Sequence, residues 1–122
     1  NTISQYAAIE ALKNENVAEK VDLMVEEYGK RREIALKELK SYGLKAAATP
    51  QGAYYIIIDI RKWSMDSLSF AYEILEKAKV AVTPGVDFGS NLEGYIRISY
   101  ATDSDLLVEG IKRIGEYLKS LK

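Results

Sequence analysis

The chain has 122 residues, 48% of them apolar and 29% charged, so one domain with a real core is expected. Its 17 basic and 18 acidic residues give a net charge of −1, without the basic excess of a nucleic-acid-binding protein. With no cysteine and no histidine, disulfides, thiol nucleophiles, Ser-His-Asp chemistry and the commonest metal ligand are excluded.

The first residues, Asn1 to Tyr6, carry neither an initiator methionine nor the basic-then-apolar pattern of a signal peptide. They read as the interior of a longer protein, so a fragment is expected. No apolar run approaches the ~20 residues that span a bilayer. Residues 4–13 predict a short helix, with Tyr6, Ile9 and Leu12 near one face, broken at Asn14-Glu15-Asn16. Residues 17–42 form the longest periodic segment, with Val17, Val21, Met24, Val25, Tyr28, Ala35, Leu36 and Leu39 at helical spacing. Lys30-Arg31-Arg32, flanked by Glu26, Glu27 and Glu33, reads as a solvated face. The Arg32 stem can cover apolar surface while its head reaches outward. Tyr42-Gly43 supplies the stop, with Gly43 suited to a left-handed cap.

Pro50-Gln51-Gly52 is a turn. Ala53 to Ile60 is aromatic, β-branched and almost continuously apolar, which predicts a central strand buried on both faces. Arg61 to Asp66 is a loop in which Trp63 packs over the sheet edge. Residues 66–79 predict a helix with Asp66 as N-cap and Leu68, Ala71, Tyr72, Leu75 and Ala78 on one stripe. Val80 to Thr83 reads as a short strand ended by Pro84-Gly85, Val86 to Glu93 as a loop, and residues 94–101 as another strand. Thr102-Asp103-Ser104-Asp105 opens the last helix in the manner of a capping box, followed by the stripe Leu107, Gly110, Ile111, Ile114, Leu118 and Leu121. The order implies an α+β fold. Two layers are expected: a small, mostly antiparallel sheet of three or four strands with helices on one face, preceded by a long helix.

Arg97 stands out against this pattern. It sits in the apolar run Gly94-Tyr95-Ile96-Arg97-Ile98-Ser99-Tyr100-Ala101. A permanent charge there needs a reason, and a guanidinium fork can grip a carboxylate with two parallel hydrogen bonds, which lysine cannot do. The plainer alternative is an edge-strand arginine facing water or paired with a structural Asp or Glu.

The run Val80 to Gly89 (VAVTPGVDFG) followed by Gly94 to Thr102 (GYIRISYAT) resembles the C-terminal end of fold-type I, pyridoxal-phosphate-dependent aminotransferases. The likeness is to the class I/II, aspartate-aminotransferase-like branch. Ser4 to Leu12, Tyr28-Gly-Lys-Arg-Arg32 and Pro50-Gln-Gly-Ala-Tyr-Tyr55 agree in order and spacing, so the match covers essentially the whole chain.

The resemblance implies that residues 1–16 leave a large domain and that 17–122 form the small C-terminal domain of a cytoplasmic homodimer. It implies that Arg97 binds the α-carboxylate of an amino-acid or 2-oxo-acid substrate. It places Tyr54 near substrate, although Tyr54 fits the core equally well. Pro84, Gly85, Phe88 and Gly89 match a loop that approaches the active site, although turn chemistry and one buried ring also account for them. The family's Schiff-base lysine and other groups that hold pyridoxal phosphate belong to the large domain. The expectation is therefore no catalytic, cofactor-binding or metal-binding residue in this chain, and no transamination by it alone. Two alternatives remain at this stage. One is a stand-alone α+β interaction or regulatory domain. The other is the small domain of another fold-type I enzyme, such as a lyase or condensing enzyme.

Overall fold

Helix α1 (Thr2–Lys13) starts two residues earlier than its apolar spacing predicts, because the Asn1 carboxamide oxygen accepts the Ile3 N–H at 3.0 Å. The interruption after it is a single extended residue, Asn14 (φ −83°, ψ 119°). The Asn14 side chain accepts the Asn16 N–H at 3.0 Å, so α2 (Glu15–Ser41) restarts before residue 17. In this computed structural model, which describes residues 1–121, the chain divides into two compact units, residues 1–30 and residues from 31 onward. In the first unit, α1 buries none of its residues. No helix among the described residues is long and apolar enough to cross a membrane.

The second unit holds the core. Near its C-terminus α2 buries Ala35 and Leu39. Gly43 follows at φ +72°, with Leu44 N–H on the Leu39 carbonyl at 2.9 Å and Gly43 N–H on that of Lys40 at 3.0 Å. These are the two bonds of a Schellman stop, as the Tyr42-Gly43 pair predicts.

Four strands follow, β1 (Lys45–Ala46), β2 (Tyr55–Asp59), β3 (Thr83–Pro84) and β4 (Tyr95–Ser99), in the order β1-β2-β4-β3, every neighbouring pair antiparallel. Helices α3 (Ser67–Ala78) and α4 (Ser104–Ser120) complete the α+β fold. Register puts Ile56 opposite Ile98 and Ile58 opposite Ile96. These four are buried together with Phe70 and Ile74 of α3 and Leu107, Ile111, Ile114 and Leu118 of α4. Asp66 caps α3 through the Ser69 N–H at 3.0 Å, and Asp103 caps α4 through the Asp105 N–H at 2.9 Å.

Three expectations need correction. Strand β2 is buried on one face only: Ile56 and Ile58 are inside, while Tyr55 is exposed and Ile57 and Asp59 are partly so. Its second face carries Tyr55, Ile57 and Asp59, which register places beside Ser99, Arg97 and Tyr95 of β4. The strand expected at Val80 to Thr83 is only Thr83–Pro84, because the left-handed Lys79 (φ 57°) ends α3 and the backbone reaches β4 only opposite Arg97 and Ile96. The loop at 86–93 is largely two single 3-10 turns, Gly85–Phe88 and Ser90–Leu92. Trp63 is partly buried, with its Nε1–H donated to the Leu118 carbonyl at 3.2 Å near the end of α4.

Candidate functional site

The face of the sheet turned away from the isoleucine core carries the polar chemistry. Cross-strand partners share a face, so Ile57, Arg97 and Thr83 form one row and Lys45, Asp59 and Tyr95 the next. Arg97 is partly buried at the centre of the first row. Its guanidinium lies between two rings, with Cζ 4.6 Å from the Phe88 centroid and 5.0 Å from that of Tyr55. Nη2–H is donated to the Thr83 hydroxyl at 3.3 Å. Among the described residues it forms no ion pair with a carboxylate. Aromatic faces stabilise a cation without consuming its in-plane donors, so the fork keeps hydrogen-bonding capacity for an anion.

The expected site residues stand as follows. Phe88 touches Arg97. Pro84, paired with Ile96, ends β3 and feeds the loop. Gly85 is buried where a Cβ would lie 1.9 Å from the Leu92 carbonyl oxygen and 2.6 Å from that of Tyr95, so no larger residue fits. Gly89, at φ +110°, links the two 3-10 turns. Tyr54 is half exposed, and its ring meets that of Tyr55 edge-on at 5.8 Å. The ring whose face the guanidinium covers is therefore Tyr55. Tyr55 and Thr83 are the members of this cluster that the sequence reading missed. The cue was available: alternation from Ile56 and Ile58 puts Tyr55 on the outward face with Arg97.

The turn before Tyr54 is held from two sides. Arg32 Nη1–H is donated to the Pro50 carbonyl at 3.2 Å, and the Tyr100 hydroxyl to the Ala53 carbonyl at 3.0 Å. Ala53 sits at φ +60°, a left-handed conformation that disfavours a side chain. Arg32 thus departs from the solvated face expected of it: its head turns onto this turn, with Nε buried and without a partner among the described residues. The 85–93 loop is held by Ser67, which is fully buried. Its hydroxyl accepts the Val86 N–H at 3.1 Å, while its own N–H is donated to Glu93 Oε1 at 2.6 Å. Hydrogen bonds from Ser67, the side chain's contribution before the backbone's, hold the Glu93 carboxyl below the usual carboxylate range.

A second arginine on this face behaves differently. Arg61 grips Asp59 with both arms, Nε to Oδ1 at 2.9 Å and Nη2 to Oδ2 at 2.6 Å, and lies 5.0 Å over Tyr95. The Arg61 hydrogen bonds bring the Asp59 carboxyl down to about 2, against the raising effect of partial burial.

These residues suit a carboxylate better than pyridoxal phosphate. A cofactor aldehyde needs a lysine amine, and its phosphate needs several clustered donors. The lysine that register puts on the Arg97 face is Lys45, at the far edge of the sheet beside Asp59. Among the described residues no lysine joins Arg97 in its cluster, so that cluster does not fit the cofactor.

Comparison with known proteins agrees with the fold and with the motifs. The family model for aminotransferase class I and II matches residues 1–114. The chain is 43% identical over 117 residues to the (5-formylfuran-3-yl)methyl phosphate transaminase of Methanocaldococcus jannaschii, covering 96% of this chain and 30% of that protein. It is 42% identical over 118 residues to the aspartate aminotransferase of Pyrococcus horikoshii, covering 97% and 30%. The solved aromatic aminotransferase of Pyrococcus horikoshii superposes with a TM-score of 0.86 at 43% identity, over 95% of this chain and 31% of that one. The chain therefore spans about three-tenths of the length of these relatives. On sequence and on fold, it belongs to the aminotransferase class I and II family.

Proposed function

We propose that this chain is the substrate-binding small domain of an amino-acid aminotransferase, which moves an amino group from an L-amino acid to a 2-oxo acid. Residues 17–122 form that domain, and residues 1–16 lead into it from a large domain of the same enzyme. The large domain holds pyridoxal phosphate in a homodimer, and this chain alone is inactive. The relatives are named for amino transfers, which favours this reading over a lyase or condensing enzyme. Family likeness over nearly the whole chain favours it over a stand-alone interaction domain.

The observation that carries it is the Arg97 guanidinium, set on the face of the sheet turned away from the isoleucine core, braced by two rings and one hydroxyl, and unpaired with any acid among the described residues. An α-carboxylate presents two coplanar acceptors that match the remaining donors of the fork. Gripping it fixes one end of the substrate, so that the reacting bond is oriented before chemistry begins.

The test is Arg97→Lys in the complete enzyme. The charge stays and the fork is lost. Activity as kcat/KM toward amino acids should fall by about tenfold or more, at ~1.4 kcal/mol per decade, while amines without a carboxylate are nearly unaffected. Equal losses on both substrate classes would remove the carboxylate role.

A further inference from the structure

We infer that Ser67 and Glu93 are positioning residues for the carboxylate grip: they latch the 85–93 loop to the first turn of α3, and the latch sets Phe88 against Arg97. The inference rests on the Arg97 reading above.

Among the described residues, few hydrogen bonds attach this loop to the rest of the unit. Its 3-10 turns are closed by local bonds, Gly89 N–H to Val86, Leu92 N–H to Gly89 and Glu93 N–H to Ser90. These shape the loop without attaching it to the body. Burial does not fix the ring either, because Phe88 is 45% exposed. The attachment lies one turn away, where the buried Ser67 hydroxyl takes the Val86 N–H. The Gly85 backbone packs against the Leu92 and Tyr95 carbonyls too closely for a Cβ, so the two ends of the loop cross tightly at its base. A tether at Val86 is therefore felt at Phe88.

Asp66 is the local N-cap of α3: it takes the Ser69 N–H at 3.0 Å and the Ser69 hydroxyl at 2.7 Å, and the Ser67 N–H of the same first turn is left to an acceptor from elsewhere. Glu93 comes from 26 positions further along the chain and bonds the Ser67 N–H. A carboxylate at a helix N-terminus is favourable, but one brought from the far end of a loop also closes that loop. Ser67 receives both ends: Val86 near the start and Glu93 at the end. Loss of either bond leaves Phe88 free to swing from the guanidinium. Arg97 then keeps Tyr55 and Thr83 but loses its nearer ring.

The experiment compares Glu93→Ala, Ser67→Ala and Glu93→Gln in the complete enzyme, with amino acids and with amines lacking a carboxylate. Removal of one cation–π partner at a partly exposed site corresponds to an about three- to fivefold loss. That loss should appear as a raised KM for amino acids, with kcat and the amine reaction little changed. Glu93→Gln keeps an oxygen for the Ser67 N–H and should restore most of it. Phe88→Leu should give a similar loss, and adding it to Glu93→Ala should give no more, because both act through one contact.

Equal losses on both substrate classes in Glu93→Ala, or a loss additive with Phe88→Leu, would reduce the pair to a support of α3 and overturn the latch. If Glu93→Ala does not fold, Ser67→Ala decides by the same criteria. A carboxylate-specific loss in Arg97→Lys with none in Ser67→Ala or Glu93→Ala sinks the latch alone. A uniform response to Arg97→Lys sinks the reading on which it rests.

Discussion

Two arginines share one face of this sheet, and the difference between them is chemical. Each lies over aromatic rings, Arg61 over Tyr95 and Arg97 between Tyr55 and Phe88. Arg61 has its carboxylate within the fold, whereas Arg97 has a hydroxyl and two ring faces. A partly buried guanidinium held by weak neutral contacts is one for which an anion from outside would be the strongest partner available. The paired arginine gives a pH prediction. The Asp59 carboxyl lies at about 2 in the fold, below its ordinary value of 3.8. A depressed folded value means that the pair's stability is present above the unfolded value and is lost as pH falls through the folded one. The window is thus about pH 4 down to pH 2. Asp59→Asn should melt a few degrees at most below the parent at pH 6, since Arg61 is half exposed and such pairs are screened. By pH 2 the two melting curves should converge, and about 1 M salt at pH 6 should shrink the gap as well. A gap that persists unchanged at pH 2 would assign the Asp59 effect to packing.

At the scale of elements, α4 packs by a contrast between two glycines. A Cβ added at Gly115 would lie 2.3 Å from the ring of Tyr42, at the end of α2, whose ring is also covered by the Lys119 ammonium at 4.7 Å. A Cβ at Gly110 would meet only the Val80 Cγ1, at an ordinary 3.8 Å. Alanine should therefore stabilise at 110 by about 0.5–1 kcal/mol, the helix preference acting alone. At 115 the same change should cost about 1–3 kcal/mol, because overpacking exceeds that preference. Urea midpoints of the two variants should move in opposite directions, and parallel shifts would refute the contact. The long elements were legible in the sequence because each repeats its signal. The α2 stripe ends in a glycine stop, α3 opens on Asp66, and the Arg97 strand alternates across two faces. What escaped was short or long-range. Strand β1 is two residues and has no periodicity to read. Strand β2 looks doubly buried because Ile57 is apolar on the side that Arg97 shares. The Ser67–Glu93 latch joins residues with no common local pattern. Tyr55 follows from strand alternation with Ile56 and Ile58, a cue independent of the family motif that points to Tyr54.

At the scale of the whole molecule, burial is uneven along the chain. In the second unit Ile56, Ile58 and Ile96 are fully buried in β2 and β4. In the first, α1 has no buried residue, and Ile3 and Leu12 are 80% and 87% exposed. A helix of 12 residues is marginal in water without a packed face, since propagation barely offsets the cost of nucleation. Its cap at Asn1 contributes only about 1 kcal/mol. Amide hydrogen exchange on this chain by itself should separate the two regimes. The α1 amides should exchange within about tenfold of unstructured rates, while those of β2 and β4 exchange only through global opening. Along α2, protection should rise toward Ala35 and Leu39, the two positions it buries. In the complete enzyme the α1 amides should slow, because the proposed large domain supplies an apolar surface for Ile3, Tyr6 and Leu12. If α1 is as protected as β4 in this chain alone, the helix is held by something other than the burial described. If α1 exchanges equally fast in the complete enzyme, its apolar side chains have no partner there, and the proposal that residues 1–16 join this unit to a large domain loses its physical basis.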